Sequence, residues 1–192
     1  LDLTYTRRFA ADKNKKWTVT FQHDFWFNDE TENTTIDEVF PTEFERLRLR
    51  TNTIESSKDY LLQTDYQTSL GKNGTLEMGL RAETRVIKSD FIAENREKEE
   101  WNVFQGFDNK LNYYERIGGA YVQYGQKFEQ LSYLLGLRAE YTFVNIDLLD
   151  ELEDVTKTYT RLFPTFNMSY QFTDATATQL SYSRRIRRPH FG

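Results

Sequence analysis

The residues that could do chemistry are few and scattered. The chain has two histidines, His23 and His190, and no cysteine. A zinc centre would therefore have to join both imidazoles to carboxylates, and the two lie at opposite ends of the chain. His23 falls between Phe21 and Phe25 in an alternating apolar pattern, so it reads as a partly buried side chain rather than a ligand. Nucleophilic catalysis needs a nucleophile held beside a base, and no such pair stands out. We expect no catalytic residues, no metal and no cofactor. Asp147, Asp150, Glu151, Glu153 and Asp154, and separately Asn28-Asp29-Glu30, offer the oxygen ligands that calcium prefers. Their spacing is not that of an EF-hand and neither run contains glycine, so they read as solvated loops. Arg184, Arg185, Arg187 and Arg188 suggest phosphate contact. On a strand they would divide between its two faces. The net charge of −5 argues against a nucleic-acid surface, which would usually be basic.

The elements that must carry these residues have a period of two. Residues 131–146 put Leu131, Tyr133, Leu135, Leu137, Ala139, Tyr141 and Phe143 on one face. Ser132, Leu134, Gly136, Arg138, Glu140 and Thr142 fall on the other. Side chains alternate across a strand, so the first set forms one apolar stripe. Similar alternation runs through 17–28, 60–70, 76–86 and 162–172, and more weakly through 1–9, 113–126 and 177–188. The pattern predicts an all-β chain, an antiparallel up-and-down meander of about eight strands.

Short polar links are predicted near 12–15, 71–74, 127–130 and 173–176, and long charged ones over 29–50, 90–111 and 147–157. Asn, Asp and Gly suit the short links because they accept tight-turn conformations. Tight turns at one end and long loops at the other is the layout of an outer-membrane barrel. No run of 18 apolar residues exists, but a barrel strand needs only about 10 residues with every second one apolar. Aromatics cluster near the ends of the stripes (Trp17, Phe25, Phe27, Tyr141, Phe143, Tyr170, Phe172), as in interfacial girdles. In that setting Arg185 and Arg187 would form salt bridges in the lumen and Arg184 would snorkel to the interface. The pentapeptide Gly79-Leu80-Arg81-Ala82-Glu83 recurs as Gly136-Leu137-Arg138-Ala139-Glu140, with the same residues on the same faces.

The C-terminal third is more specific. Residues 114–127 read YERIGGAYVQYGQK, followed by the second pentapeptide, then Leu162-Phe163-Pro164-Thr165 and Leu180-Ser181-Tyr182-Ser183-Arg184-Arg185-Ile186-Arg187-Arg188-Pro189. This order resembles the outer-membrane β-barrel family of TonB-dependent receptors, Bacteroidetes type, clearly over 113–190 and more loosely over 55–86. The positions carrying the resemblance are Gly136, Arg138, Glu140, Phe163, Pro164, Arg185, Arg188 and Pro189. The resemblance implies a bacterial outer-membrane location and uptake of a scarce bulky nutrient, such as an iron chelate, a cobalamin or an oligosaccharide. Its partners would be outer-membrane lipid, the nutrient, and the TonB system acting through a plug. Family members carry a plug and about 22 strands. Residues 1–192 show neither, so we expect a single segment of a transmembrane barrel domain.

In that reading loop aromatics, chiefly Trp101, Phe104 and Phe107 with Phe40, Phe44 and Phe91, would stack on a sugar or catechol ring. The competing reading is a soluble lipocalin-like barrel binding a small ligand, with the apolar set inside and the charges outside. An outer-membrane enzyme would need a nucleophile–base pair on adjacent strands. In water alone, the segment is expected to hide its apolar stripe by curling or by pairing with a second copy.

Overall fold

A computed structural model describes residues 1–10, 12–38, 44–97, 99–104, 108–148 and 153–185. They form one open antiparallel sheet. Its strands are β1 (Asp2–Phe9), β2 (Asp12–Glu38), β3 (Phe44–Leu70), β4 (Gly74–Glu97), β5 (Glu100–Val103), β6 (Asn109–Lys127), β7 (Leu131–Leu148), β8 (Glu153–Thr173) and β9 (Thr176–Ser183). Each strand pairs with its sequence neighbour in the order β1-β2-β3-β4-β6-β7-β8-β9, and β5 pairs back onto β4. All eight predicted strands are present, and β5 is the ninth.

Two expectations about the connections are corrected. The first short link is not 12–15: β1 ends at Phe9, and β2 already begins at Asp12. Asp12 works as a turn cap, taking the backbone N–H of Asn14 at 2.9 Å and that of Ser69 at 3.1 Å. These donors, Asn14 first, hold its carboxyl below the usual range. The long links are mostly strand. β2 and β3 have 27 residues each, roughly 90 Å at about 3.3 Å per residue. A membrane crossing uses about 10 of those residues. The rest of the hairpin is a polar extension of the sheet, in register from Asn28↔Glu55 to Thr34↔Leu49, with β4 paired along the other side of β3 from Ser89 to Asn95. Charge made these stretches look like loops. Their Thr31, Thr34, Thr35, Ile36, Thr51, Thr53 and Ile54 are β-branched and favour strands wherever a partner is at hand.

Burial separates the faces in the opposite sense to a soluble sheet. Tyr113, Glu115 and Ile117 of β6, Glu140 and Thr142 of β7 and Phe163 of β8 are buried, and register puts them on one face. On the other face Leu80 is 59% exposed, Leu137 46%, Tyr141 51% and Leu162 52%. The charged face is thus the concave one, where side chains cover one another, and the apolar face is the outer surface. The lipocalin-like arrangement would need the reverse. The apolar stripe is not folded inward in this sheet.

Candidate functional site

The concave face is a wall of polar side chains held by bonds along and across its strands. Arg85 of β4 donates to Asp59 of β3 at 2.6 Å. Arg81 donates to Glu83 at 2.9 Å and to Gln63 at 3.3 Å. Gln63 donates to Asp65 at 2.8 Å, and the Tyr121 hydroxyl donates to Asp65 at 2.6 Å. Gln123 donates to Glu77 at 3.3 Å. Arg138 pairs with the buried Glu140. Glu140 is 5% exposed, and Arg138 supplies it with one counter-charge.

The repeated pentapeptide now has a structural meaning. Both copies flank β6, since β4 and β7 are its two neighbours. In each, an arginine bonds the glutamate two residues on, along one strand face. Register places Gly119 of β6 between them, opposite Arg81 on one side and Glu140 on the other. Four charges, two of each sign, therefore flank a residue without a side chain. The glycine opening each copy also faces inward, but the two play different parts. Tyr121 lies over Gly79 to reach Asp65 on the far side of β4. A Cβ on Gly79 would press into the Tyr121 ring and lie 2.6 Å from Asp65 Oδ1 and 2.7 Å from the Thr64 carbonyl oxygen. A Cβ on Gly136 would meet Gln123 and Thr165 at an ordinary 3.6 Å.

The predicted motif residues divide by face. Arg138, Glu140, Phe163 and Arg185 come together, lining a concavity of about 510 Å³ with Thr165 and Asn167. Pro164 does not join them; it pairs with Leu137 on the outer face and is exposed. Gly136 lies on the inward face beside the cluster. Arg184 was expected at the interface, but it lines the same concavity as Arg185 because β9 ends at Ser183. Arg187, Arg188, Pro189 and His190 lie outside the described residues, as do Asp150 and Glu151.

Of the ligand-stacking aromatics, Trp101 sits on β5 with the Arg50 guanidinium over its ring at 4.5 Å, and Arg50 is bonded to Glu94 at 2.7 Å. One face of its ring is therefore already occupied. Phe104 is 37% exposed just beyond β5. Phe40 and Phe107 lie outside the described residues. His23 behaves as expected of a half-buried interfacial ring. It stacks on Tyr60 at 4.5 Å, with Nδ1 3.3 Å from the Asp59 carbonyl oxygen. Sequence reasoning missed the Tyr121–Gly79–Asp65 contact and the Asp59–Arg85 pair. An inward tyrosine register-paired with an inward glycine was the available signal, and it needs the register.

The outer face carries its aromatics in two belts. Trp17, Tyr66, Tyr133, Tyr170 and Phe172 lie near the short turns, and Phe25, Phe27, Tyr60, Tyr114, Tyr141 and Phe143 lie at the far end. An apolar band between aromatic belts, outside a polar wall, is the cross-section of a membrane barrel. The profile of the outer membrane protein beta-barrel family matches residues 7–192. The chain belongs to that family. Its place is the bacterial outer membrane. No curated protein matches it in sequence. In three dimensions it is similar to the ferric citrate transporter FecA in its unliganded form, with a TM-score of 0.62 and 12% identity over 90% of this chain. The chain spans about a quarter (25%) of that transporter. Like that stretch, the family segment described here is a meander of barrel wall.

Proposed function

We propose that residues 1–192 are one segment of the barrel of a TonB-dependent receptor, Bacteroidetes type, with the plug supplied by another part of the protein. The observation that supports this best is the inward wall. It carries charges of both signs, buries Glu115 and Glu140, and holds its arginines with side-chain bonds, as suits a lumen filled by water and a polar plug. The likeness to one such transporter agrees with it.

In this reading Arg138, Glu140, Phe163 and Arg185 face the permeation path. Gly136 gives them room, and Pro164, Arg188 and Pro189 complete the motif. The ribbons beyond the membrane, with Trp101, Phe104 and Phe107, capture a scarce bulky nutrient: an iron chelate, a cobalamin or an oligosaccharide. The segment is wall and capture surface. It performs no bond-making step, carries no cofactor or metal, and binds no nucleic acid. Its partners are outer-membrane lipid, the nutrient and, through the plug, the TonB system.

Disruption of the gene in its host tests this. Growth limited to one of those nutrients should fail, and uptake of that nutrient should require the proton motive force. Uptake that continues after the membrane potential is collapsed would refute energy coupling. Normal growth on every nutrient class would refute transport.

A further inference from the structure

The outer face should hold only groups that tolerate lipid. On β3 it runs Tyr66, Thr64, Leu62, Tyr60; on β4 Met78, Leu80, Ala82, Thr84, Val86; and on β6 Val122, Ala120, Gly118. The next outward positions on these three neighbouring strands are cations. Lys58 follows Tyr60, Lys88 follows Val86, and Arg116 follows Gly118. All three are exposed.

Their height is set by strand geometry. Arg116, Lys58 and Lys88 lie 11, 12 and 14 residues from Lys127, Leu70 and Gly74, the turn-proximal ends of their strands. A strand tilted by about 40° climbs about 2.5 Å per residue along the membrane normal. The cations therefore stand roughly 28–35 Å above the turns, just past an apolar band about 25 Å tall. That is the head-group level of the leaflet farther from the turns, the outer one if the ribbons face outward as in other such barrels.

Their company agrees. The Lys58 ammonium lies 5.9 Å from the centre of the Phe25 ring, and the Arg116 guanidinium lies 4.7 Å from that of Tyr114. Both rings belong to the upper aromatic belt. Amid that belt the cationic heads are at the depth of lipid phosphates, with their stems along apolar surface.

Register fixes the spacing. Lys58, Val86 and Tyr114 form one cross-strand row. Lys88 is one outward position above it and Arg116 one below. The three span roughly 10–14 Å at standard strand spacings. No carboxylate among the described residues forms an ion pair with any of them. The nearest outward carboxylate, Asp90, is taken by Lys110 at 3.0 Å. Asp154, on β8 three strands beyond β4, accepts from Asn145 at 2.8 Å.

We propose that Lys58, Lys88 and Arg116 bind the phosphates of a multiply phosphorylated outer-leaflet lipid, lipopolysaccharide. A single phosphate is too small to bridge the three, whereas a large phosphorylated glycolipid can. Its acyl chains would lie on the band of Leu62, Leu80 and Val122 below. The inference rests on the outward orientation of the apolar face and not on transport.

The test uses the full-length protein purified from outer membranes in detergent and titrated with purified lipopolysaccharide. A Lys58→Gln/Lys88→Gln/Arg116→Gln triple variant should bind about 100-fold more weakly, at about five-fold per cation near an anionic surface. Arg7→Gln, on the outer face two residues from the turn-proximal end of β1, should bind as the parent does. Millimolar inorganic phosphate should not displace the lipid; displacement would mean a free-phosphate site and overturn the assignment. Equal affinity of the triple variant and the parent would also overturn it. If the triple variant does not assemble, the single variants decide: each should lose about five-fold, and full affinity in all three refutes the proposal.

Discussion

The two glycines that open the repeated pentapeptide should respond oppositely to the same substitution. Gly79→Ala places a methyl group against the Tyr121 ring, 2.6 Å from Asp65 Oδ1 and 2.7 Å from the Thr64 carbonyl oxygen. The ring could swing away, but the carbonyl belongs to the neighbouring strand of the ladder and cannot. Relief would pull Tyr121 from Asp65, breaking a 2.6 Å bond to a carboxylate. Overpacking of this kind costs about 1–3 kcal/mol, and the lost charge-assisted bond adds about 1.5–3 kcal/mol. We expect a total near 3 kcal/mol, because moving the ring partly relieves the overpacking. At Gly136 the same methyl meets Gln123 and Thr165 at 3.6 Å, an ordinary contact. Alanine there removes the entropic cost of an interior glycine and should be neutral or stabilising by up to about 1 kcal/mol. The assay is urea unfolding of the full-length protein refolded into bilayers, followed by tryptophan fluorescence. Tyr121→Ala in the Gly79→Ala background should recover part of the loss. Equal destabilisation at both glycines, or none at Gly79, would refute the assignment of Tyr121 to the slot above β4.

Leu137→Arg places a charge on the lipid face and should cost about 2–4 kcal/mol in the same unfolding assay; unchanged stability would reverse the orientation of the sheet. Tyr121→Phe removes only the hydroxyl and should cost about 1.5–3 kcal/mol, with Asp65→Asn giving a smaller loss because its amide oxygen still accepts. Asp12→Ala should lower stability at neutral pH. The backbone donors favour the charged form of Asp12, so its margin over the alanine variant is full above the ordinary carboxyl value of 3.8. That margin should shrink as pH falls below 3.8, which paired denaturation curves at pH 7 and pH 3 would show. The purified protein should hold no stoichiometric zinc or iron by elemental analysis.

Much of this protein is written in a period of two. Alternation such as Leu135-Gly136-Leu137-Arg138-Ala139-Glu140 is a local property, so the sequence alone gives most strands and the two faces of each, while burial decides which face turns inward. The turns at Gly71 and around residue 129 are equally local, because the Gly71-Lys72-Asn73-Gly74 run and a break in alternation are visible without any partner. What alternation cannot give is which residue stands opposite which. Tyr121 and Asp65 are 56 positions apart, and they meet only because β3, β4 and β6 lock in one register with Gly79 between them. The same register brings both pentapeptides to the two sides of Gly119, and Lys58, Lys88 and Arg116 to one patch of the outer face. The charged ribbons of β2 and β3 were misread as loops for the same reason. A polar segment with β-branched residues has no apolar stripe to announce a strand, and it becomes one only when its partner supplies the hydrogen bonds.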